Sequence, residues 1–538
     1  MGEGIGRVFF LKDEVGFQPL SNHQGLVVKL LESWREGDEP LALSPKTKER
    51  LLLAARYHDD GKRFTFHIVP DGKGGLTYSF RGHRFRVAQA VQDPYAQALI
   101  RGHHDYSTRE VVNLAADFLE EGLGHRFPED LFLLMMADQL EAELAVRLWQ
   151  RRAGEVRPFV EFDLLPDGEG GFLLDPWPFR VDEVALDFLV YFHPYRGEEA
   201  KVVEGWGRAL VGALEEGKVP EAFREEKRRV RLRPWAAAAR KADDPEAFYA
   251  RFGLKPTPFQ REVFKVAEGD PAHLLLAPTG TGKTEAAAFP ALARGERLVF
   301  VLPTRSLVDD LEGRFRRYLK ILAQEEGRPK ALVVDTGHRQ ARFRFSPDGQ
   351  EEATKERHLY HADVILTTLD KLLYRYFGYA EGVKSYTFPR RIHDRRTLFV
   401  FDEVHLYEAT AWVNFRHLIA SLYKAGVRFL VMSATMPGTY REELLLEGTL
   451  EHPAAKRPSR VLRYMPQGNP MEIIQSHRGK RVLVVLEEVK EAAELYKRLK
   501  GEGVFLYHGR LAEGQRRRVF RKVKRRDKAQ KPYLLITT

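Results

Sequence analysis

An eight-residue segment, Ala277-Pro-Thr-Gly-Thr-Gly-Lys-Thr, constrains the fold of this chain more than any other. It follows an apolar stretch at 273–277 and opens a helical pattern, which is the setting that a phosphate-binding loop requires. Glycines let backbone N–H groups surround a phosphate, and the start of the helix adds positive potential. The segment predicts a nucleotide-binding domain, although Ala277 stands where the strict pattern has glycine. The residues expected to contact the nucleotide or its Mg²⁺ are Thr279, Gly280, Thr281, Gly282, Lys283 and Thr284.

The sequence around this segment alternates between short apolar strands and helical stretches. The strands are predicted at 273–277, 298–302, 331–335, 364–367, 398–401 and 428–432. A second series begins after about residue 460, with strands predicted at 481–486, 504–507 and 533–538. This alternation is typical of a parallel sheet covered by helices. We therefore expect one complete α/β domain over 236–460 and part of another over 461–538.

The first 150 residues have a helical pattern instead. Apolar residues recur with helical spacing at 22–34, 46–57, 86–98, 109–120 and 129–149. A hairpin is predicted within 159–179, around a Pro-Asp-Gly-Glu-Gly-Gly turn, and more helix is expected to about residue 233. The predicted fold class is therefore multidomain, with an all-α domain over 1–235 ahead of the two α/β units.

Composition limits the chemistry that this chain can perform. None of the 538 residues is cysteine, which excludes disulfides, a cysteine nucleophile and thiolate metal sites, whereas 18 histidines are present. The net charge of +10 favours a polyanionic partner such as nucleic acid. The longest apolar run, at 131–137, is far shorter than the ~20 residues of a membrane span. We expect a cytoplasmic protein without a membrane partner.

Two further motifs follow predicted strands of the α/β region in a fixed order. Asp402 and Glu403 come directly after the strand at 398–401. An acidic pair at the end of a strand suits Mg²⁺ coordination by Asp402, with Glu403 positioning or deprotonating an attacking water. The residues Ser433, Ala434 and Thr435 come after the next strand.

Together these motifs resemble the superfamily 2 helicases of the DExH kind. The resemblance implies two RecA-like domains that bind ATP and Mg²⁺ between them, adenine recognition by Gln260 and coupling through Ser433–Thr435. Contacts to a nucleic-acid strand are implied for Thr304, Arg305, Thr367, Thr368, His508 and Arg510. The last family motifs, which carry arginines of the ATP site, have no counterpart before Thr538. We expect a chain that is truncated relative to this family, and ATP turnover by this chain alone stays open.

A set of histidines and aspartates marks the N-terminal region. In chain order these are His23, His58, Asp59, His83, His103, His104 and Asp138, and Lys62 follows the His58-Asp59 pair. Imidazole and carboxylate ligands without sulfur suit Mn, Fe, Co, Ni or Zn. Each residue alone is more often structural than a ligand, but their joint order resembles the HD-type metal-dependent phosphohydrolases that bind two metals.

The fusion of an HD-type region to a DExH helicase resembles the CRISPR-associated helicase–nucleases of type I systems. This resemblance implies a nuclease with two transition metals (Mn, Fe, Co or Ni) that first nicks and then degrades the displaced single strand of target DNA. It also implies a 3′→5′ motor, a monomer when free, and recruitment by a crRNA-guided Cascade complex. His23, His58, Asp59 and Asp138 would hold one metal, Asp59 would bridge to a second held by His83, His103 and His104, and Lys62 would face the scissile phosphate.

Two alternative functions stay open at this point. The chain could be an HD nucleotide phosphohydrolase fused to an RNA helicase, which would hydrolyse free nucleotides. It could also be a nuclease whose motor is inactive and serves only to dock nucleic acid.

Overall fold

A computed structural model describes most of the chain, in two compact units, Met1–Ala454 and Ala455–Thr538. The domain ranges expected from the sequence, 1–235, 236–460 and 461–538, stay predictions. The described residues are 2–36, 39–40, 43–86, 89–104, 108–124, 126–149, 163–166, 172–175, 180–181, 184–234, 244–267, 269, 272–337, 339–354, 362–377, 397–453, 465 and 468–538.

Seven α-helices are described in the N-terminal part of the first unit. They are α1 (Leu20–Ser33), α2 (Pro45–Tyr57), α3 (Lys62–Thr65), α4 (Pro94–Gly102), α5 (Thr108–Ala116), α6 (Phe127–Trp149) and α7 (Ala200–Glu215), with a 3₁₀ helix at His83–Phe85. Helix α6 is central, because every residue from Leu131 to Ala137 is fully buried and α1, α2, α4 and α5 contact it. Among the described residues, no helix is long and apolar enough to cross a membrane.

The same part of the chain contains eleven described strands. They are β1 (Ile5–Phe10), β2 (Glu14–Pro19), β3 (Trp34–Glu36), β4 (Glu39–Pro40), β5 (His67–Pro70), β6 (Leu76–Ser79), β7 (Asp163–Pro166), β8 (Phe172–Asp175), β9 (Arg180–Val181), β10 (Val184–Pro194) and β11 (Arg224–Pro234). Six of them form one sheet in the order β1-β2-β10-β11-β8-β7. The prediction of an all-α region over 1–235 is therefore wrong.

The missed strands have sequence patterns that do not identify them. Strand β11 reads Arg-Glu-Glu-Lys-Arg-Arg-Val-Arg-Leu-Arg-Pro, which is almost entirely charged. It is a strand because β10, which supplies Leu186, Phe188 and Val190 to the core, pairs with it over nine residues. The helix expected over 86–98 begins only at Pro94, since Asp93 caps it and proline is compatible with the first turn but not the interior. The hairpin within 159–179 is confirmed as the antiparallel pair β7–β8.

The rest of the first unit is the α/β region. Its strands are β12 (Ala272–Leu276), β13 (Arg297–Leu302), β14 (Lys330–Thr336), β15 (Arg339–Phe345), β16 (Glu351–Thr354), β17 (Val364–Thr368), β18 (Thr397–Phe401), β19 (Arg428–Ser433) and β20 (Gly448–Glu451). Its helices are α8 (Pro245–Ala250), α9 (Pro258–Val266), α10 (Lys283–Ala293), α11 (Arg305–Glu326), α12 (Leu369–Tyr376), α13 (Ala409–Lys424) and α14 (Gly438–Glu442), with a 3₁₀ helix at Val404–Leu406.

The nine strands form one sheet in the order β16-β15-β14-β17-β13-β18-β19-β12-β20. From β14 to β20 every neighbouring pair is parallel, and only β15 and β16 are antiparallel to their neighbours. The six strands predicted from apolar runs are all present. Their carboxyl ends lie along one edge of the sheet, where ligands bind in parallel α/β folds.

The second unit contains a smaller parallel sheet. Its helices are α15 (Pro470–Ser476), α16 (Val489–Leu499) and α17 (Glu513–Lys528), and its strands are β21 (Arg481–Val485), β22 (Val504–Tyr507) and β23 (Tyr533–Thr537). The strand order is β21-β23-β22, with both pairs parallel. All three strands predicted in this region are therefore confirmed.

Candidate metal centre and nucleotide-binding site

Asp59 is the centre of a cluster of histidines and carboxylates in the N-terminal part, with its own side chain buried and His104 exposed. It follows α2, which begins where Ser44 caps the helix and ends at Tyr57, so that His58 and Asp59 lie at its end. The other members come from the first turn of α1, the start of the 3₁₀ helix, the residues just after α4 and the middle of α6. They are His23, His83, His103, His104 and Asp138.

The ligand atoms of this cluster divide into two groups that share Asp59. The groups are His23, His58, Asp59 and Asp138, and Asp59, His83, His103 and His104. Within each group all ligand atoms lie within 4.8 Å of one another. The two oxygens of Asp59 face different groups, because Oδ2 is 2.9 Å from His23 Nε2 and Oδ1 is 2.9 Å from His83 Nε2. The structure thus brings together every residue that the sequence predicted for the metal site.

Three histidines of the cluster are held to the backbone by their Nδ1 atoms. The Nδ1 atoms of His58, His83 and His103 lie 2.8, 2.7 and 2.5 Å from the carbonyl oxygens of Ala55, Phe80 and Ile100. A carbonyl only accepts hydrogen bonds, so Nδ1 carries the proton whenever these rings are neutral, and the lone pair of Nε2 faces the carboxylates. In the described part of the chain, His58 Nε2 and His103 Nε2 are buried without a hydrogen-bond partner. This donor set fits divalent metal ions.

The pKa values of several groups in the cluster depart from their usual range. Burial opposes charge on His58, but the neighbouring Asp59 and Asp138 carboxylates raise its pKa to about 10. Burial likewise opposes ionisation of Asp59, but Lys62 and His58 hold its pKa well below the usual range. Burial lowers the pKa of His103. A buried proton on His58 therefore compensates the two carboxylates, at a position where a cation would replace it.

Lys62 contacts the cluster from the start of α3. Its Nζ lies 2.5 Å from Asp59 Oδ2 and donates to the carbonyl oxygen of Gly6 at 3.3 Å. It also lies 5.0 Å from the centre of the Phe80 ring. The ammonium group is thus fixed at the edge of the cluster, 12% exposed, where it can reach an anion that approaches from solvent.

Glu141 is a member of the site that the sequence analysis missed. Its carboxylate is fully buried on α6, one turn after Asp138. Oε2 accepts hydrogen bonds from His23 Nδ1 at 2.6 Å and from Arg7 at 2.9 Å, and Oε1 accepts from Gln18 at 2.8 Å. Arg7 and Gln18 belong to β1 and β2, the hairpin that contradicts the all-α prediction. The spacing of three residues from Asp138, on one helix face, was the available signal.

The nucleotide loop lies between β12 and α10. Gly280 and Gly282 have positive φ angles of 84° and 81°, the left-handed region in which glycine is unstrained. Thr281 Oγ1 donates to the Pro278 carbonyl at 2.8 Å. Gln260, from α9, donates through Nε2 to the carbonyl of Gly282 at 3.1 Å, so the expected adenine-recognition residue contacts the loop. Thr279 is exposed at its tip.

The acidic pair lies beside this loop, at the end of β18. Lys283 Nζ donates to Glu403 Oε1 at 3.2 Å, and Thr284 follows Lys283 in the first turn of α10. Burial, together with the Glu403 charge, raises the pKa of Asp402 to about 6. Glu403 itself has a φ of 48°, which is uncommon for a residue with a side chain. Such strain is frequent at functional sites.

Ser433, at the end of β19, connects the acidic pair to the Ser433–Thr435 segment. His405 Nδ1 lies 2.9 Å from Ser433 Oγ and 3.3 Å from Glu403 Oε2. The Ser433 hydroxyl also bonds the carbonyl oxygen of Thr435, and Ala434 lies between these two residues. A chain of polar contacts therefore runs from the acidic pair to the Ser433–Thr435 segment.

The residues expected to contact a nucleic-acid strand fall into three places. Thr304 and Arg305 follow β13 and are exposed. Thr367 and Thr368 end the adjacent strand β17, with Leu302 opposite Thr368, but only 1% and 4% of their surfaces are exposed. His508 and Arg510 follow β22 in the second unit, where His508 is buried and Arg510 exposed.

Comparison with known proteins identifies the relatives of this chain. Residues 257–444 match the family model of the DEAD/DEAH box helicases. The CRISPR-associated nuclease/helicase Cas3 of Methanothermobacter thermautotrophicus is 24% identical over 77% of this chain and 49% of its own length. The chain is therefore similar in sequence to Cas3 proteins. The CRISPR-associated helicase Cas3 of Thermoproteus tenax is 26% identical over 51% of this chain and 49% of its own length.

These comparisons confirm the resemblance and the RecA-like α/β fold that the sequence predicted, and a helicase domain of this family implies binding of ATP and Mg²⁺. The chain spans about half the length of the curated Cas3 relatives it matches. Among solved structures, Mycobacterium smegmatis helicase Lhr bound to ssDNA and AMP-PNP is similar, with 19% identity, a TM-score of 0.40, and coverage of 54% of this chain and 40% of that one.

Proposed function

We propose that this chain is a metal-dependent nuclease for single-stranded DNA, coupled to an ATP-dependent 3′→5′ motor and recruited to target DNA by a crRNA-guided Cascade complex. One observation carries the nuclease part, namely the two four-ligand groups that share Asp59. A carboxylate between two sets of imidazoles is the arrangement of a two-metal phosphodiesterase.

Two divalent transition ions would be held by the two groups defined above, and Asp59 would bridge them. When bound, such a pair lowers the pKa of a water molecule and stabilises the leaving oxygen of a phosphodiester. The chain's own contribution is to keep four of these imidazoles, those of His23, His58, His83 and His103, in one orientation through Nδ1 hydrogen bonds. Lys62, held beside Asp59 at 2.5 Å, would place its ammonium against the scissile phosphate.

The motor would use the loop at the edge of the nine-stranded sheet. Lys283 would exchange its bond with Glu403 for the β- and γ-phosphates of ATP, which frees Glu403 to orient the attacking water. Thr284 and Asp402 would bind Mg²⁺, and Gln260 would recognise adenine. The contacts from Ser433 through His405 to Glu403 would couple nucleotide state to strand movement.

The partner assignment rests on homology alone. The relatives are named as CRISPR-associated proteins, and Cascade recruitment and the displaced DNA strand come to this chain as part of the proposal. Thr304, Arg305, Thr367, Thr368, His508 and Arg510 would contact the strand through its backbone. Exposed Thr304, Arg305 and Arg510 fit this role most simply.

The test is a cleavage assay on single-stranded DNA with Mn²⁺, Co²⁺, Ni²⁺ or Mg²⁺, with and without ATP. We expect cleavage with transition metals, loss of cleavage in EDTA and loss in the Asp59→Ala variant. Free nucleotides serve as competing substrates, and hydrolysis of these without DNA cleavage would support a nucleotide phosphohydrolase instead. Comparing DNA with RNA as activator of ATP hydrolysis separates a DNA motor from an RNA helicase.

A further inference from the structure

Two phenylalanine side chains next to the metal centre face solvent. Phe64, on α3, is 66% exposed and Phe85, at the end of the 3₁₀ helix, is 65% exposed. Each lies two residues after a residue of the site, Lys62 and His83 respectively. Single exposed apolar residues are common, but two large exposed rings beside one candidate site indicate a binding surface.

The two rings belong to one surface. The turn before α3 approaches the 3₁₀ helix so closely that a Cβ on Gly61 would lie 2.0 Å from the carbonyl oxygen of His83. The guanidinium of Arg86, the residue after Phe85, lies 6.0 Å from the centre of the Phe64 ring. We call Phe64, Arg84, Phe85 and Arg86 the aromatic patch.

The aromatic patch combines rings with cations. The Arg84 guanidinium lies 4.7 Å from the centre of the Phe85 ring, and Arg86 stands over Phe64. Residues 80–92 contain three arginines and no acidic residue. Aromatic faces that stack with bases, next to cations that contact phosphates, are what single-strand binding sites present. A protein-docking surface would be expected to offer a larger continuous apolar area.

We propose that the aromatic patch stacks with unpaired nucleobases and so positions a single strand at the metal centre. The proposal rests on the nuclease function, since it specifies how that centre takes its substrate. Bases in a duplex are stacked on each other and cannot offer their faces to Phe64 and Phe85. The patch would therefore favour single strands over duplexes at this site.

The test uses single-stranded DNA with one 2-aminopurine, moved along the oligonucleotide, bound to the protein in EDTA so that no cleavage occurs. We expect quenching of 2-aminopurine at one or two positions, and loss of that quenching in Phe64→Ala and Phe85→Ala. Loss of a base–aromatic stack weakens binding about 5- to 150-fold. Tyr423→Ala, which removes a ring that is 41% exposed on α13, is the matched control and should change nothing.

A second experiment replaces the nucleotide at the quenched position by an abasic one. It should weaken binding to the wild type but add little to the loss in Phe64→Ala or Phe85→Ala. With Mn²⁺ present, the same variants should raise KM for single-stranded DNA and leave kcat nearly unchanged, because the rings do not touch the reacting atoms.

Unchanged DNA binding and quenching in both variants would overturn the inference. Failure of the nuclease proposal gives a different result. In that case no metal would support cleavage, while position-specific quenching that depends on Phe64 and Phe85 would still establish the stacking site.

Discussion

Replacement of Glu141 by glutamine should weaken metal binding without unfolding the protein. Among the expected metal ligands, Glu141 is hydrogen-bonded to His23, whose Nδ1 lies 2.6 Å from Oε2. Although burial opposes ionisation, the neighbouring His23 imidazole and Arg7 guanidinium hold the pKa of Glu141 below its usual value. The Glu141 carboxylate therefore accepts a hydrogen bond from the Nδ1–H group of His23. This bond orients the ring so that its Nε2 atom faces Asp59.

The magnitude follows from the three hydrogen bonds that Glu141 accepts, from Arg7, Gln18 and His23. Glu141→Ala would leave a buried cation without its partner, at a cost of about 3–5 kcal/mol, which is a large part of the stability of a typical domain. Glutamine keeps one acceptor oxygen, so we expect a loss of about 1–3 kcal/mol. Loss of such an outer carboxylate lowers metal affinity about 10- to 100-fold.

Calorimetric titration with Mn²⁺ measures this effect, alongside thermal unfolding of the metal-free protein. Glu143→Gln is the matched control, since Glu143 is 1% exposed on the same helix and bonds Arg147 instead of the cluster. We expect weaker Mn²⁺ binding in Glu141→Gln alone. Equal Mn²⁺ affinity in the wild type and both variants would refute the positioning role of Glu141.

Three further predictions concern the two sites. Lys283→Ala should abolish the stimulation by ATP of single-strand degradation and leave metal-dependent cleavage in place, whereas unchanged ATP stimulation would contradict the assignment. Gly61→Ala should displace His83, whose carbonyl oxygen lies 2.0 Å from the new Cβ position, and reduce bound Mn²⁺ from two ions to one by elemental analysis; two ions would count against it. Because the pKa of Asp402 is raised to about 6, the carboxylate form is lost as pH falls. Affinity for a Mg²⁺-bound fluorescent nucleotide should therefore decline below pH 6, and Asp402→Asn should show no such dependence.

Local sequence signals were sufficient to predict the strands and the loop of the α/β region. Apolar runs marked the strands of its core, and loop chemistry placed Gly280 and Gly282 where positive φ is needed. The order of the histidines and aspartates was sufficient to select the residues that cluster around Asp59, although their proximity depends on how α1, α2, α4 and α6 pack. These features are encoded over a few residues each, so a single sequence reveals them.

The N-terminal sheet could not be predicted in the same way. Strand β11 is extended because it pairs with β10. Its charged sequence does not by itself indicate a strand, because strand preference depends on the neighbouring strands. Glu141 and Glu143 likewise look alike in sequence, on one helix two residues apart. Only the packing of β1 and β2 against α6 places Arg7 and Gln18 on Glu141.

Anomalous X-ray scattering from crystals grown with Mn²⁺ tests the central claim most directly. The account predicts two manganese peaks, one on each side of the Asp59 carboxylate, with His23, His58 and Asp138 around one and His83, His103 and His104 around the other. Loss of both peaks is expected in Asp59→Ala crystals. No peak at Asp59 in the wild type, or a single ion that only one ligand group contacts, would contradict the two-metal site.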